Sequence, residues 1–173
     1  GESMSKLNAF RIINLNYNNN AIRVDDELWH FDGESTLISL RNGGGKSVLV
    51  QMLGALFVHK KYRNAKERTF ASYFTTNKPT FLMVEWRLDD QAGYVLTGMM
   101  VRKHQASGEE ETSAEELDMV NFICEYTGAN SYDIQNIPVV SQTEEGKKLK
   151  GFATCQSLFN SWKNDPALKF FGL

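Results

Sequence analysis

Apolar and polar residues alternate toward the end of segment 10–17 (FRIINLNY), with Ile13, Leu15 and Tyr17 on one face and Asn14 and Asn16 on the other. That period of two predicts a half-buried β-strand. Asn18, Asn19 and Asn20 follow as a turn, because asparagine tolerates left-handed φ and bonds its own backbone. Segment 21–31 resumes as strand-like sequence, with an interruption expected near Asp25 and Asp26. Asp32, Gly33 and Glu34 make another turn. Segment 36–40 (TLISL) is short, apolar and β-branched, the pattern of a strand buried on both faces.

A glycine-rich loop occupies 41–45, and the period then changes. Over 47–62 the apolar residues Leu49, Met52, Leu53, Leu56 and Phe57 recur at the three-and-four spacing of one helix face. Pro79 introduces a strand over 80–88, Asp89 to Gly93 turn the chain, and 94–103 forms the return strand of an antiparallel hairpin. Segment 106–116 is polar and acidic and reads as a loop. Segment 117–126 fits either a strand or a short helix. Segment 134–140 is expected to be extended, because Pro138 opposes helix. Segment 156–163 predicts a short helix that stops before Pro166. Phe170, Phe171 and Leu173 form an apolar end, read either as the end of an element or as a cut through a longer protein. Internal repeats and low-complexity tracts are absent from the sequence.

Composition narrows the class. The 173 residues suit one domain at roughly 150 residues each. A chain of this size buries about 70% of its unfolded surface, so it folds without disulfide or metal staples. With 42% hydrophobic and 23% charged residues it is neither a disordered nor a coiled-coil chain. Nineteen basic against 21 acidic residues leave a net charge of −2, which excludes a general polyanion binder. No apolar run reaches the ~18 residues of a membrane span. Two cysteines, Cys124 and Cys155, are too few for a disulfide framework and lack metal-ligand spacing, which is compatible with a cytoplasmic location. Gly1, Glu2 and Ser3 precede Met4 and read as a cloning remnant, leaving 4–173 as a single unit without a signal peptide.

The chemistry concentrates in Leu40-Arg41-Asn42-Gly43-Gly44-Gly45-Lys46-Ser47, between the predicted buried strand and the predicted helix. A phosphate-binding P-loop needs that position. Glycines let a loop turn its backbone N–H groups inward, and with the helix N-terminus these form a nest for phosphate. Lys46 would bring positive charge to the β- and γ-phosphates, and Ser47 a hydroxyl ligand to Mg²⁺. Leu40 stands where G-x-x-x-x-G-K-[ST] has its first glycine and would stiffen the loop entry. The plainer alternative is a glycine-rich strand-to-helix turn carrying a surface lysine.

Asn42-Gly43-Gly44-Gly45-Lys46-Ser47 resembles the N-G-x-G-K-S core of SMC-like ATPases, the ABC-type group that includes condensin-like chromosome proteins and DNA-repair coiled-coil ATPases. Leu15-Asn16-Tyr17 resembles the short strand that opens those head domains. The order of elements is also similar to the N-terminal lobe of such a head. The resemblance implies an α/β fold with α+β character: a P-loop NTPase lobe with a mixed sheet and an antiparallel hairpin. It implies ATP and Mg²⁺ as cofactors. It implies as partners a C-terminal head lobe of the same protein, a second head in an ATP-sandwiched dimer, and DNA through the full assembly. By the same resemblance Arg63 or Arg68 would approach the nucleotide, and Gln105 the Mg²⁺, with Gln135 and Gln142 as competitors. The basic run Lys60, Lys61, Arg63, Lys66 and Arg68 reads either as a contact for DNA or nucleotide phosphate or as a solvated helix end.

The Walker B strand and signature loop of that family have no counterpart here. Phe81-Leu82-Met83-Val84-Glu85 imitates a Walker B run, but Glu85 replaces its Asp and is expected on the solvent side of the hairpin. The chain therefore reads as half of a head, inactive alone, whose parent serves chromosome organisation, repair or defence against foreign DNA. Two other functions fit: a self-contained small phosphotransferase using Glu85 as metal-linked acid, and a non-catalytic interaction domain with a degenerate loop. His30, His59 and His104 show no paired spacing and read as surface or packing residues.

Overall fold

A computed structural model describes residues 6–17, 22–30, 78–88, 93–103 and 117–172. Eight strands and one helix occupy them: β1 (Lys6–Tyr17), β2 (Ile22–His30), β3 (Thr80–Arg87), β4 (Tyr94–Lys103), β5 (Leu117–Tyr126), β6 (Val140–Thr143), β7 (Gly146–Leu149), α1 (Phe152–Lys163) and β8 (Phe170–Gly172). Six strands form one sheet in the order β2-β1-β3-β4-β5-β8, and β6-β7 form a separate ribbon. The described architecture is sheet-dominated α+β. Among the described residues no helix is long and apolar enough to cross a membrane, which says nothing about strands.

Every described pairing is antiparallel. A central row runs Ile13, Phe81, Met100 and Val120 across β1, β3, β4 and β5. Strand residues alternate faces, so this row, with Met83, Leu96, Phe122 and Cys124, belongs to one side of the sheet. Above it lie residues 130–139, here termed the strap, and α1, which contribute Tyr132, Ile134, Ile137, Val139, Phe152, Cys155 and Phe159 to the same core. Phe159 is the hub: its ring centre lies 4.7 Å from Phe122, 5.6 Å from Phe170 and 6.0 Å from Trp162. Residues Ile12, Leu82, Met99 and Val101, on the opposite face, are buried as completely. A sheet covered on both sides accounts for the continuous apolar run Phe81 to Val84 of β3.

Two backbone features set the packing. Gly98 sits opposite Phe122, and a Cβ there would lie 2.1 Å from the phenyl ring. The ring lies flat on the glycine. Asn14 in β1 has φ +58°, and its side-chain Nδ2 donates to the Pro79 carbonyl at 3.1 Å while the Thr80 hydroxyl donates to its own carbonyl at 2.6 Å. Asparagine is among the few residues that accept this conformation.

The hairpin expected over 80–103 is present, with Thr80 opposite Val101 and Arg87 opposite Tyr94. Segment 117–126 is a strand. The interruption expected at Asp25 and Asp26 is absent: β2 continues from Ile22 to His30, because Asp26 is held by a cation from β1 rather than by solvent. Segment 134–140 is not extended as expected. Residues 134–136 and 138–139 form turns and only Val140 enters a strand, since the Asp133 carboxylate collects the N–H groups of Gln135 and Asn136. The C-terminal helix begins at Phe152, four residues before the expected start, with Phe152, Cys155 and Phe159 on its buried side. The predicted turns at 18–20 and 32–34, the strand 36–40, the loop 41–45, the helix 47–62, the basic run and the loop 106–116 lie outside the described residues, as do residues 1–3 and Leu173.

Candidate functional site

The predicted nucleotide residues Asn42, Gly43, Gly44, Gly45, Lys46 and Ser47 lie outside the described residues, and so do Arg63, Arg68 and Gln105. What is described is the frame around them. β1 pairs with β2 on one side and β3 on the other, both antiparallel, so β2 and β3 run parallel to each other. β2 ends at His30, opposite Ala9, and β3 begins at Thr80, beyond the Ile13–Phe81 pair. A link between parallel strands must cross from one end of the sheet to the other. Of the competing glutamines, Gln135 lies on the strap and is exposed, and Gln142 lies exposed on β6. His30 is exposed at the end of β2.

The polar chemistry among the described residues forms a continuous line under the strap. Arg11 of β1 lies on the apolar side of the sheet and is 7% exposed. Its Nε and Nη2 donate to the two carboxylate oxygens of Asp26 at 2.8 and 2.7 Å. Its Nη1 donates to the carbonyls of Ile134 and Gln135 at 2.9 and 3.1 Å. The Ile134 N–H donates to the Tyr126 hydroxyl at 3.2 Å, and that hydroxyl donates to Oε2 of Glu85. Asn8, at a bulge between Leu7 and Ala9, donates to Oε1 of Glu85 at 2.7 Å.

Glu85 is thus buried, 7% exposed, and not on the solvent side as its sequence context suggested. The reason is parity: it shares a face with Phe81 and Met83, and both flanking strands carry that face into the core. Each carboxylate oxygen already has a protein donor.

Charge placement follows burial. Burial works against the ionised form of Asp26, but its bonds to Arg11, with Lys147 at 3.6 Å, outweigh this and hold its carboxyl below the usual carboxylate range. Burial pushes the Tyr126 hydroxyl well up, reinforced by its bond to Glu85. Burial likewise raises the Cys124 thiol to about 12, with Asp133 and Glu85 adding to the effect. The Cys155 thiol is raised by burial to about 11, against a downward pull from Lys150. Neither cysteine is a nucleophile at neutral pH.

Asp133 organises the strap itself. It accepts from the N–H groups of Asn130, Gln135 and Asn136 and from the Asn136 side chain, all within 2.9 Å. Among the described residues no cluster of three or more His, Cys, Asp or Glu could hold a metal. Arg11, Asp26, Tyr126 and Asp133 escaped the sequence reading. For Arg11 a signal existed, a cation set between Phe10 and Ile12 in an apolar strand. No protein-family model, curated protein or solved structure matches this chain.

Proposed function

We propose that this chain is the ATP-binding N-terminal lobe of an SMC-like ATPase head, with ATP and Mg²⁺ as ligands. The observation that carries the reading is the run Asn42-Gly43-Gly44-Gly45-Lys46-Ser47 within segment 31–77. Support comes from the frame: that segment links two parallel strands, β2 and β3, and such links usually carry a helix. The amphipathic 47–62 pattern fits that need. Its apolar face would also suit the second face of the sheet, where Ile12, Leu82 and Val101 are buried.

On this reading Gly43 to Gly45 offer backbone N–H groups to phosphate, Lys46 neutralises the β- and γ-phosphates, and Ser47 completes the metal shell. Hydrolysis would await a C-terminal lobe and a second head, and DNA would be engaged by the assembly. The reading of Glu85 as metal-linked acid in a small phosphotransferase loses support, because Asn8 and Tyr126 occupy both its oxygens.

Calorimetric titration with ATP and Mg²⁺ tests the proposal. The wild-type chain should bind and Lys46→Ala should bind much more weakly. Equal affinity for the two proteins, or no binding by either, rejects it.

A further inference from the structure

The strap, residues 130–139, reaches the sheet through side chains rather than through a backbone ladder. Its N–H groups at Tyr132, Gln135 and Asn136 turn inward on the Asn130 and Asp133 side chains. Its described hydrogen bonds to the six-stranded sheet come from Arg11, Tyr126 and the Cys124 thiol. Arg11 is the one residue of these that also grips the outer strand β2, through Asp26. One guanidinium thus joins two elements more than a hundred residues apart in sequence, with 123 positions between Arg11 and Ile134.

We propose that Arg11 is a latch that makes release of β2 and lifting of the strap a single opening event. The physical reason is the cost of a buried, uncompensated guanidinium. If β2 peels away, Asp26 leaves with it, and Arg11 must then reach water. Its Nη1 is still held on the Ile134 and Gln135 carbonyls, and letting those go, which frees the strap, lets the whole guanidinium be solvated. If the strap lifts first, water enters and weakens the Arg11–Asp26 attraction about fourfold, as the effective dielectric rises from ~20 toward ~80. Each opening therefore favours the other by the same factor, as linkage requires. Asp133 keeps the strap rigid enough to move as one piece. The proposal does not depend on the glycine-rich loop.

Native-state hydrogen exchange tests it, since amide opening is read segment by segment. Val24→Ala weakens β2 at a buried position away from the latch. In the wild-type background it should accelerate exchange in β2 and at Ile134, Gln135 and Asn136 by the same factor, tenfold or more, while β3 stays slow. In the doubly apolar background Arg11→Met with Asp26→Leu, Val24→Ala should accelerate β2 alone. Strap acceleration in both backgrounds, or in neither, overturns the latch. So does equal acceleration of β3, which would mean global unfolding. If the apolar pair does not fold, Asp26→Asn replaces it: β2 and strap must then accelerate together, and β2 accelerating alone overturns the proposal.

Discussion

The Tyr126 hydroxyl on β5 donates to the Glu85 carboxylate on β3, across the intervening strand β4, and accepts from the Ile134 N–H of the strap. One phenol thus satisfies a buried acid and a buried backbone donor. Tyr126→Phe keeps the ring and its contacts with Tyr94 and Tyr132 but leaves both groups without that partner. An unsatisfied buried group costs about 1–3 kcal/mol. Denaturant unfolding should show a loss in that range or somewhat above it. In the Glu85→Gln background the loss should shrink, because an amide is cheaper to leave under-bonded than a carboxylate. Equal losses in both backgrounds would mean that the two side chains are not coupled.

Asp26 makes stability depend on acid. Its carboxyl titrates below the unfolded value in the folded chain, so its contribution is fully present above about pH 4, the unfolded carboxyl's range. It is lost as pH falls through the lower folded value. Wild type should therefore lose stability more steeply than Asp26→Asn between about pH 4 and pH 2, and the gap between them should close at the acid end. A constant gap across that window would show that Asp26 acts by shape and not by charge.

Gly98 tests the close approach of β4 to an aromatic ring. Gly98→Ala drives a methyl group into Phe122, whose ring is fixed from above by Phe159 and Phe170. Overpacking of this kind costs about 1–3 kcal/mol. Adding Phe122→Leu, which is destabilising alone, should cost less in the Gly98→Ala background than in wild type. Additive losses by thermal unfolding would show that the ring can move aside.

The strands were legible where both period and punctuation agreed. β3 and β4 are apolar runs set off by Pro79 and by the turn residues near Gly93, and their pairing needs no distant information. The burial of Glu85 was half legible. Parity places it with Phe81 and Met83, but the opposite face, Leu82 and Val84, is equally apolar, so the pattern alone did not tell which side met water. Neither side does. Its partners Asn8 and Tyr126 arrive from 77 and 41 positions away, a separation that no local pattern encodes. Segment 134–140 failed for the opposite reason. Pro138 opposes helix, but the short-range capture of N–H groups by Asp133 decides the conformation.

The cysteines should be silent in the folded chain. With its thiol near 12, Cys124 is ionised to roughly one part in ten thousand at pH 8, and its Sγ donates to the Tyr132 carbonyl at 3.6 Å. Cys155, near 11, is buried in the same core. A thiol reagent at pH 8 should modify neither until denaturant is added, and then both. These raised values also make the fold lose stability as pH climbs past the unfolded thiol's range of about 8.5. Fast labelling of native protein would contradict the burial of that core.

Nucleotide binding and nucleotide turnover should come apart. Phosphoryl transfer needs charge neutralisation and an oriented water as well as a phosphate cradle. On the proposed reading Gly43 to Ser47 supply only the cradle. Glu85, the acid of the apolar strand β3, is committed to Asn8 and Tyr126 beneath the strap. Binding that lowers ground state and transition state alike does not accelerate chemistry. Purified chain with Mg²⁺ and ATP should therefore bind without appreciable steady-state hydrolysis, and Glu85→Gln should leave nucleotide affinity unchanged while lowering stability. Turnover of about 1 s⁻¹, at the low end of ordinary enzymes, abolished by Glu85→Gln in a variant shown to be folded, would reverse the assignment. Glu85 would then have to leave Tyr126 during the reaction, and the self-contained phosphotransferase would replace the half-head as the better reading.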